Sequence, residues 1–396
     1  MPFLISMKHV YRSIIPILLQ LIPLIAFSQN LQLTFEHIGV NQGLSQATVN
    51  CIKQDSRGFI WIGTYNGLNR YDGYNFKVFH HDAKDAGSLA HNAIRDIVED
   101  SNGDMWIATL GGGISKFDRK TNRFKNYTHN EKTNSIASNY INNLVEDKGR
   151  LWIGSREDGV DRMDIKTGKF THYPKIKLDT TALSDNFITT IYKDSKNNIW
   201  IGTFLGGLNL YNSKTNKFTR FQKWGEKKNI ISSSTINCVF EDSRKRIWVG
   251  TSNGLNLFVK KDSSFRHFFN DPKNSSSLPH NSVFAIGEDA NHKLWLSMEN
   301  HGIAIMDEHE NFINYQHDAI DNLSLSNNTF YAITRDKMDN MWLGGYMSGV
   351  NLHKAITQKF NHQRHTSGNS ISKNMVTAIR EDNKGNLWLG TDGGGL

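Results

Sequence analysis

The chain has 396 residues, of which 38% are hydrophobic and 21% charged, with 32 Gly and only 6 Pro. That composition excludes wholesale disorder, collagen and a polytopic membrane protein. The formal charge of +8 is spread along the chain without a long run of like charges, which argues for a soluble surface and against nucleic acid as a partner.

Residues 1–28 read as a secretory signal peptide. Lys8, His9 and Arg12 form a basic end, Ile14 to Phe27 an apolar stretch, and Ala26-Phe27-Ser28 a small-residue cleavage site ahead of Gln29. An uncleaved membrane anchor is the alternative, but the stretch is short for a span and carries Pro16, Gln20 and Pro23. Export to the periplasm is expected, with a mature charge of +6 once Lys8 and Arg12 are removed. Cys51 and Cys238 hold equivalent places in two separated repeats, too far apart for a disulfide, and read as small buried apolar residues.

From Leu31 to Ile38 the chain resembles a lone outer strand, and after it the text repeats. Trp61, Trp106, Trp152, Trp200, Trp248, Trp295, Trp342 and Trp388 follow one another at 45, 46, 48, 48, 47, 47 and 46 residues, and only Trp224 falls outside the series. Each copy opens with an apolar run ending in Asp, such as Val49 to Asp55, then a polar turn and a second strand carrying the Trp. A Gly-containing turn leads to a third strand, as in Gly67-Leu-Asn-Arg-Tyr71, and a fourth places aromatic or apolar residues three apart, as in Phe124 and Tyr127. Four antiparallel strands per copy predict an all-β fold, a β-propeller whose blades bury both sheet faces against their neighbours. The eight series Trp residues are assigned to packing between blades, each repeat Asp to its turn, and each Gly to a turn.

The domain reading is 1–28 signal peptide, 29–365 a seven-bladed propeller, and 366–396 the start of an eighth repeat that opens a second propeller. A single eight-bladed ring closed by the lone strand is the alternative.

The phrase Asp-x-x-Gly-x-Ile/Leu-Trp-Ile/Leu-Gly-Thr, followed by Gly-Gly-Leu-Asn and a Phe-x-x-Tyr strand, resembles the two-component regulator propeller repeat from Gly43 to Leu396. Copy six departs from it at Ser297-Met298 and Ala304, and copy three has Glu157-Asp158 before its Gly. The resemblance implies the periplasmic part of a sensor histidine kinase, often a hybrid kinase of Bacteroidetes-type bacteria that controls carbohydrate use. It further implies signalling domains and a membrane helix in a downstream region, so that contact with a membrane comes only from there. No enzyme activity is expected of this chain itself.

Positions that vary among copies in a turn of fixed geometry are where recognition can be written. The turns between second and third strands supply the candidates Tyr65, Arg156, Glu157, Asp158, Phe204, Glu299, His301 and Tyr346, a set able to bind a sugar by stacking and hydrogen bonding. An oligosaccharide ligand and a homodimer are the expected partners. No cofactor and no metal are expected: His80-His81, His301 with His309, and His362 with His365 lack a supporting ligand at diagnostic spacing. The leading function is extracytoplasmic ligand sensing. The alternatives are a secreted propeller glycosidase or lyase, for which Glu157 or Asp158 would pair with Glu299, and a protein-binding scaffold.

Overall fold

Six of the seven blades share a turn that their own aspartate builds. Asp55 Oδ1 accepts the backbone N–H groups of Arg57 and Phe59 at 3.0 and 2.9 Å, while Oδ2 accepts the indole N–H of Trp61 at 2.9 Å. One carboxylate thus sets the hairpin and orients the tryptophan that packs behind it. The clasp recurs between Asp100 and Trp106, Asp194 and Trp200, Asp242 and Trp248, Asp289 and Trp295, and Asp336 and Trp342, at 2.8–3.0 Å.

The computed structural model describes residues 33–223, 230–355, 365–367 and 370–395. The signal read at 1–28, Trp224 and His362 lie outside the described residues. Among the described residues there are seven four-stranded antiparallel sheets, a separate two-stranded hairpin and one short 3-10 turn at Val40–Gln42. The first blade runs Val49–Gln54, Ile60–Thr64, Gly67–Tyr71 and Phe76–Phe79 from hub to rim. The next five repeat that order, with first strands at Ile94–Glu99, Ile141–Asp147, Ile188–Lys193, Ile236–Glu241 and Val283–Glu288. These first strands, with Phe330–Arg335 of the seventh blade, touch one another in a closed cycle around the hub.

Blade seven takes its outer strand from the other end of the chain. Glu36–Ile38 pairs antiparallel with Val350–His353, matching Glu36 to Leu352 and Ile38 to Val350. The ring therefore closes at seven blades, and the eight-bladed alternative is set aside. Strands Val376–Glu381 and Leu387–Thr391 of the eighth copy form the separate hairpin.

Each ring tryptophan sits in a seam. Trp61 stacks on Phe79 of its own blade at 6.0 Å and meets Phe117 of the next edge-on at 5.2 Å. Trp342 meets Tyr71 of blade one at 6.2 Å, so the seam continues across the closure. Ring tryptophans are 0–4% exposed, whereas Trp388 on the hairpin is 52% exposed. Its Asp382 clasp is present at 3.1 Å, so the local turn forms without the neighbouring sheet.

One role assigned from the sequence needs correction. The Gly two residues after the Trp is not a turn residue: Gly202 lies within strand Ile199–Thr203, and a Cβ there would come within 2.6 Å of Ile236 Cγ2 on the next blade. Gly63, Gly154, Gly250 and Gly344 face the next blade in the same way. Glycine is required there because the inner ends of the blades converge.

Candidate ligand site at the hub mouth

The first strand of every blade carries a bulge at the same place. Pairing with the second strand slips between Val49 and Cys51, Ile94 and Asp96, Ile141 and Asn143, Ile188 and Thr190, Ile236 and Cys238, Val283 and Ala285, and Phe330 and Ala332. The residue inside each slip is released from the ladder, and a bulge of this kind re-aims a side chain. The seven released residues are Asn50, Arg95, Asn142, Thr189, Asn237, Phe284 and Tyr331, and all of them line one cavity of about 600 Å³ along the hub.

Three of the seven are structural. Asn50, Asn142 and Asn237 donate their side-chain amides to Ile94 O, Ile188 O and Val283 O of the following blade at 2.7–2.9 Å. In blades two, four, six and seven the same place holds Arg95, Thr189, Phe284 and Tyr331. Side chains that do not fasten the ring are available for chemistry.

The cavity opens on the face where turns between second and third strands meet the segments between blades. Backbone bonds join the two sets, such as Gly67 N to Asn92 O at 2.7 Å and Gly111 N to Asn139 O at 2.9 Å. Of the candidates named from the sequence, Tyr65 and Arg156 line the cavity. Arg156 lies over the ring of Phe187 at 5.5 Å, and Phe204 stacks on that same ring at 5.0 Å. Tyr346 meets Tyr331 edge-on at 5.9 Å, and Phe284 lies 5.8 Å from Tyr331 on its other side. Four candidates thus belong to the mouth, two in its lining and two behind it.

The other four do not line the cavity. Glu157 and Asp158 are exposed beside Arg156, and Asp158 uses its backbone N–H to bond Ser155 Oγ at 2.8 Å. Glu299 is exposed, and His301 stacks on His280 at 4.3 Å with an interplanar angle of 12°. Among the described residues Asp96 is the one carboxylate in the lining. Its oxygens accept Ile97 N and Leu144 N at 2.8 and 2.9 Å, yet desolvation in the channel wall outweighs those bonds and pushes its pKa up to about 6.

Cys51 and Cys238 lie in the same wall with free thiols. Burial pushes Cys51 upward and Cys238 up to about 12, so both are inert at neutral pH. Among the described residues no group of three or more His, Cys, Asp or Glu is placed to hold a metal ion. A smaller cavity of about 280 Å³ on the opposite face is lined by Arg244, Lys293, Asp307 and Glu310 among others, and its mixed charges offer no aromatic platform.

The sequence reading missed Arg95, Thr189, Phe284 and Tyr331. The signal was present: the second place of the opening apolar run reads Asn, Arg, Asn, Thr, Asn, Phe, Tyr through the seven blades.

Comparison with known proteins bears on this frame. The repeat family described as two component regulator propeller matches residues 43–66, 88–111, 182–204, 230–253, 324–347 and 370–393. A histidine kinase, P4, of Formosa agariphila is 38% identical over 63 residues, which is 16% of this chain and 5% of that protein. The extracellular domain of a hybrid two-component system of B. thetaiotaomicron superposes with a TM-score of 0.72 at 25% identity, covering 91% of this chain and 52% of that one. A streptogramin B lyase shares the fold at a TM-score of 0.60 and 15% identity, over 81% of this chain and 97% of its own. The chain therefore spans about half the length of the extracellular domain it resembles.

Proposed function

Because five of its seven blades and the hairpin match the two-component regulator propeller repeat, we propose that this chain is the extracytoplasmic, ligand-sensing part of a two-component signalling protein and that its ligand is an oligosaccharide. The observation that carries the reading is the hub cavity, where bulge residues and turn aromatics converge on a space of about 600 Å³. That is a size for small ligands, and its mixture of aromatic rings, amides, hydroxyls and two guanidiniums suits a sugar, which presents an apolar ring face and a rim of hydroxyls.

Sensing is favoured over glycoside hydrolysis by the carboxylate count. Hydrolysis ordinarily takes two carboxyl groups roughly 5 to 10 Å apart across the substrate. Among the described residues Asp96 is the one carboxylate lining this cavity, while Glu157, Asp158 and Glu299 lie outside it. Signalling would follow if the ligand binds one arrangement of the parent protein more tightly than another, since equal affinity shifts nothing.

Thermal unfolding with a panel of oligosaccharides tests the proposal. A ligand present at a hundred times its Kd should add about 2.7 kcal/mol of stability, and no reducing ends should be released. Tyr331→Ala should abolish that gain. Turnover that disappears in Asp96→Asn would establish the enzyme reading instead.

A further inference from the structure

Arg95 is the bulge residue of blade two and lines the cavity, but its guanidinium has no strong partner. Its Nη1 lies 3.5 Å from Asn50 Oδ1 and 3.4 Å from the Tyr65 hydroxyl, both long for hydrogen bonds. Its Nε is buried and makes no hydrogen bond, and among the described residues it forms no ion pair. Asp96 is next in sequence, yet both of its oxygens are held by backbone N–H groups. Arg156, the second cation in the lining, likewise has no carboxylate partner among the described residues and rests on an aromatic ring.

Two more polar atoms of the same wall are buried without partners, Asn143 Oδ1 and Thr189 Oγ1. A buried polar group left unpaired is costly, and most native ones are paired, so three in one cavity indicate a ligand that completes them. Their chemistry differs. Asn143 Oδ1 can only accept, and suits a hydroxyl donor. Thr189 can donate or accept. Arg95 only donates, carries a fixed charge, and has a planar guanidinium of the shape that matches a carboxylate through two parallel bonds. A neutral hydroxyl would satisfy one N–H and leave the charge facing only Asp96, whose oxygens are already held by backbone N–H groups. Across the hub, Phe284 and Tyr331 supply ring faces.

We propose that the hub mouth recognises a sugar acid, a pyranose ring bearing a carboxylate, with the carboxylate on Arg95, hydroxyls on Asn143 and Thr189, and the ring face toward Phe284 and Tyr331. This rests on the reading of the cavity as the ligand site and adds the charged group of the ligand.

The test is calorimetric titration of the chain with D-galacturonate and D-glucuronate dimers, with the matched galactose and glucose dimers, and with a sulfated disaccharide. An acidic dimer should bind at least tenfold tighter than its neutral counterpart, and added salt should weaken only the acidic one. Arg95→Gln should reduce that preference to less than twofold without lowering the melting temperature, and Arg95→Lys should restore part of it. If neutral dimers bind as tightly as acidic ones and Arg95→Gln changes neither, the carboxylate assignment falls and the saccharide reading stands. Preference for the sulfated sugar over either uronate also overturns the assignment. If no saccharide of any class binds at millimolar concentration, both fall.

Discussion

Trp152 follows Asp147 by five residues, where Trp248 follows Asp242 by six, and the missing residue leaves the indole N–H of Trp152 buried without an acceptor. Blade three turns through Lys148 and Gly149 and loses the clasp, yet Trp152 stays buried by stacking on Tyr173 at 5.6 Å and meeting Tyr211 at 4.7 Å. The seam therefore tolerates one lost hydrogen bond because ring packing carries most of the contact. In blade five the bond is present, so Asp242→Ala orphans a buried N–H and should cost about 1–3 kcal/mol. Asp147→Ala breaks no such clasp and should cost about half a kcal/mol or less. Urea denaturation of the two variants measures the difference, and equal losses would show that the clasp contributes nothing at the seam.

The strand glycines make a sharper prediction. In Gly202→Ala the new methyl meets Ile236 Cγ2 and Thr190 Cγ2, each at 2.6 Å, where the inner ends of blades four and five converge. Overpacking of this kind costs about 1–3 kcal/mol. Gly390 holds the same place in the hairpin, where the nearest atom to an added methyl is Ala378 Cβ at 3.4 Å. Gly390→Ala should leave the melting temperature unchanged, and a comparable drop in both variants would mean that the effect is local to the strand.

Closure of the ring depends on a strand of three residues, Glu36–Ile38. Ile38 is buried against Val350 and Leu352, and His37 Nε2 reaches Ser324 O at 2.8 Å. Removing residues 1–38 should expose the edge of Val350–His353, whose unpaired N–H and C=O groups template association. Size-exclusion chromatography with light scattering should then report oligomers, and melting should occur at lower temperature. A monomeric truncated chain with unchanged melting would show that blade seven stands with three strands.

Much of this frame was legible in the order of residues. The tryptophan period marks the blades, because an indole in every seam has to recur once per sheet, and the variable turns led to Tyr65 and Arg156. The hub was not legible in the same way. Arg95 and Tyr331 sit in apolar runs that read as plain alternating strands, and only the bulge beside them turns both side chains into the cavity. Glu157 and Asp158 share a turn with Arg156 but lie outside the lining, since one short turn points neighbouring side chains in different directions.

Asp96 should make stability fall as pH rises from about 4 to 6. Its pKa is raised to about 6 in the folded wall, above the ordinary value near 3.9 that it regains on unfolding. Between those values the folded chain holds a proton that the unfolded chain has released, so stability drops through the window and the full penalty applies above it. A shift of about two units corresponds to roughly 3 kcal/mol as an upper figure. His91 and His280, both lowered chiefly by burial, act in the opposite sense, losing stability as pH falls, so wild type must be compared with a variant. Asp96→Asn cannot ionise, and the stability it gains relative to wild type should therefore grow by about 2–3 kcal/mol between pH 4 and pH 7. Urea denaturation at both pH values reads this double difference directly. Parallel profiles for the two proteins would mean that water reaches Asp96 freely, and the channel wall would then lack the desolvation that also makes an unpaired Arg95 costly.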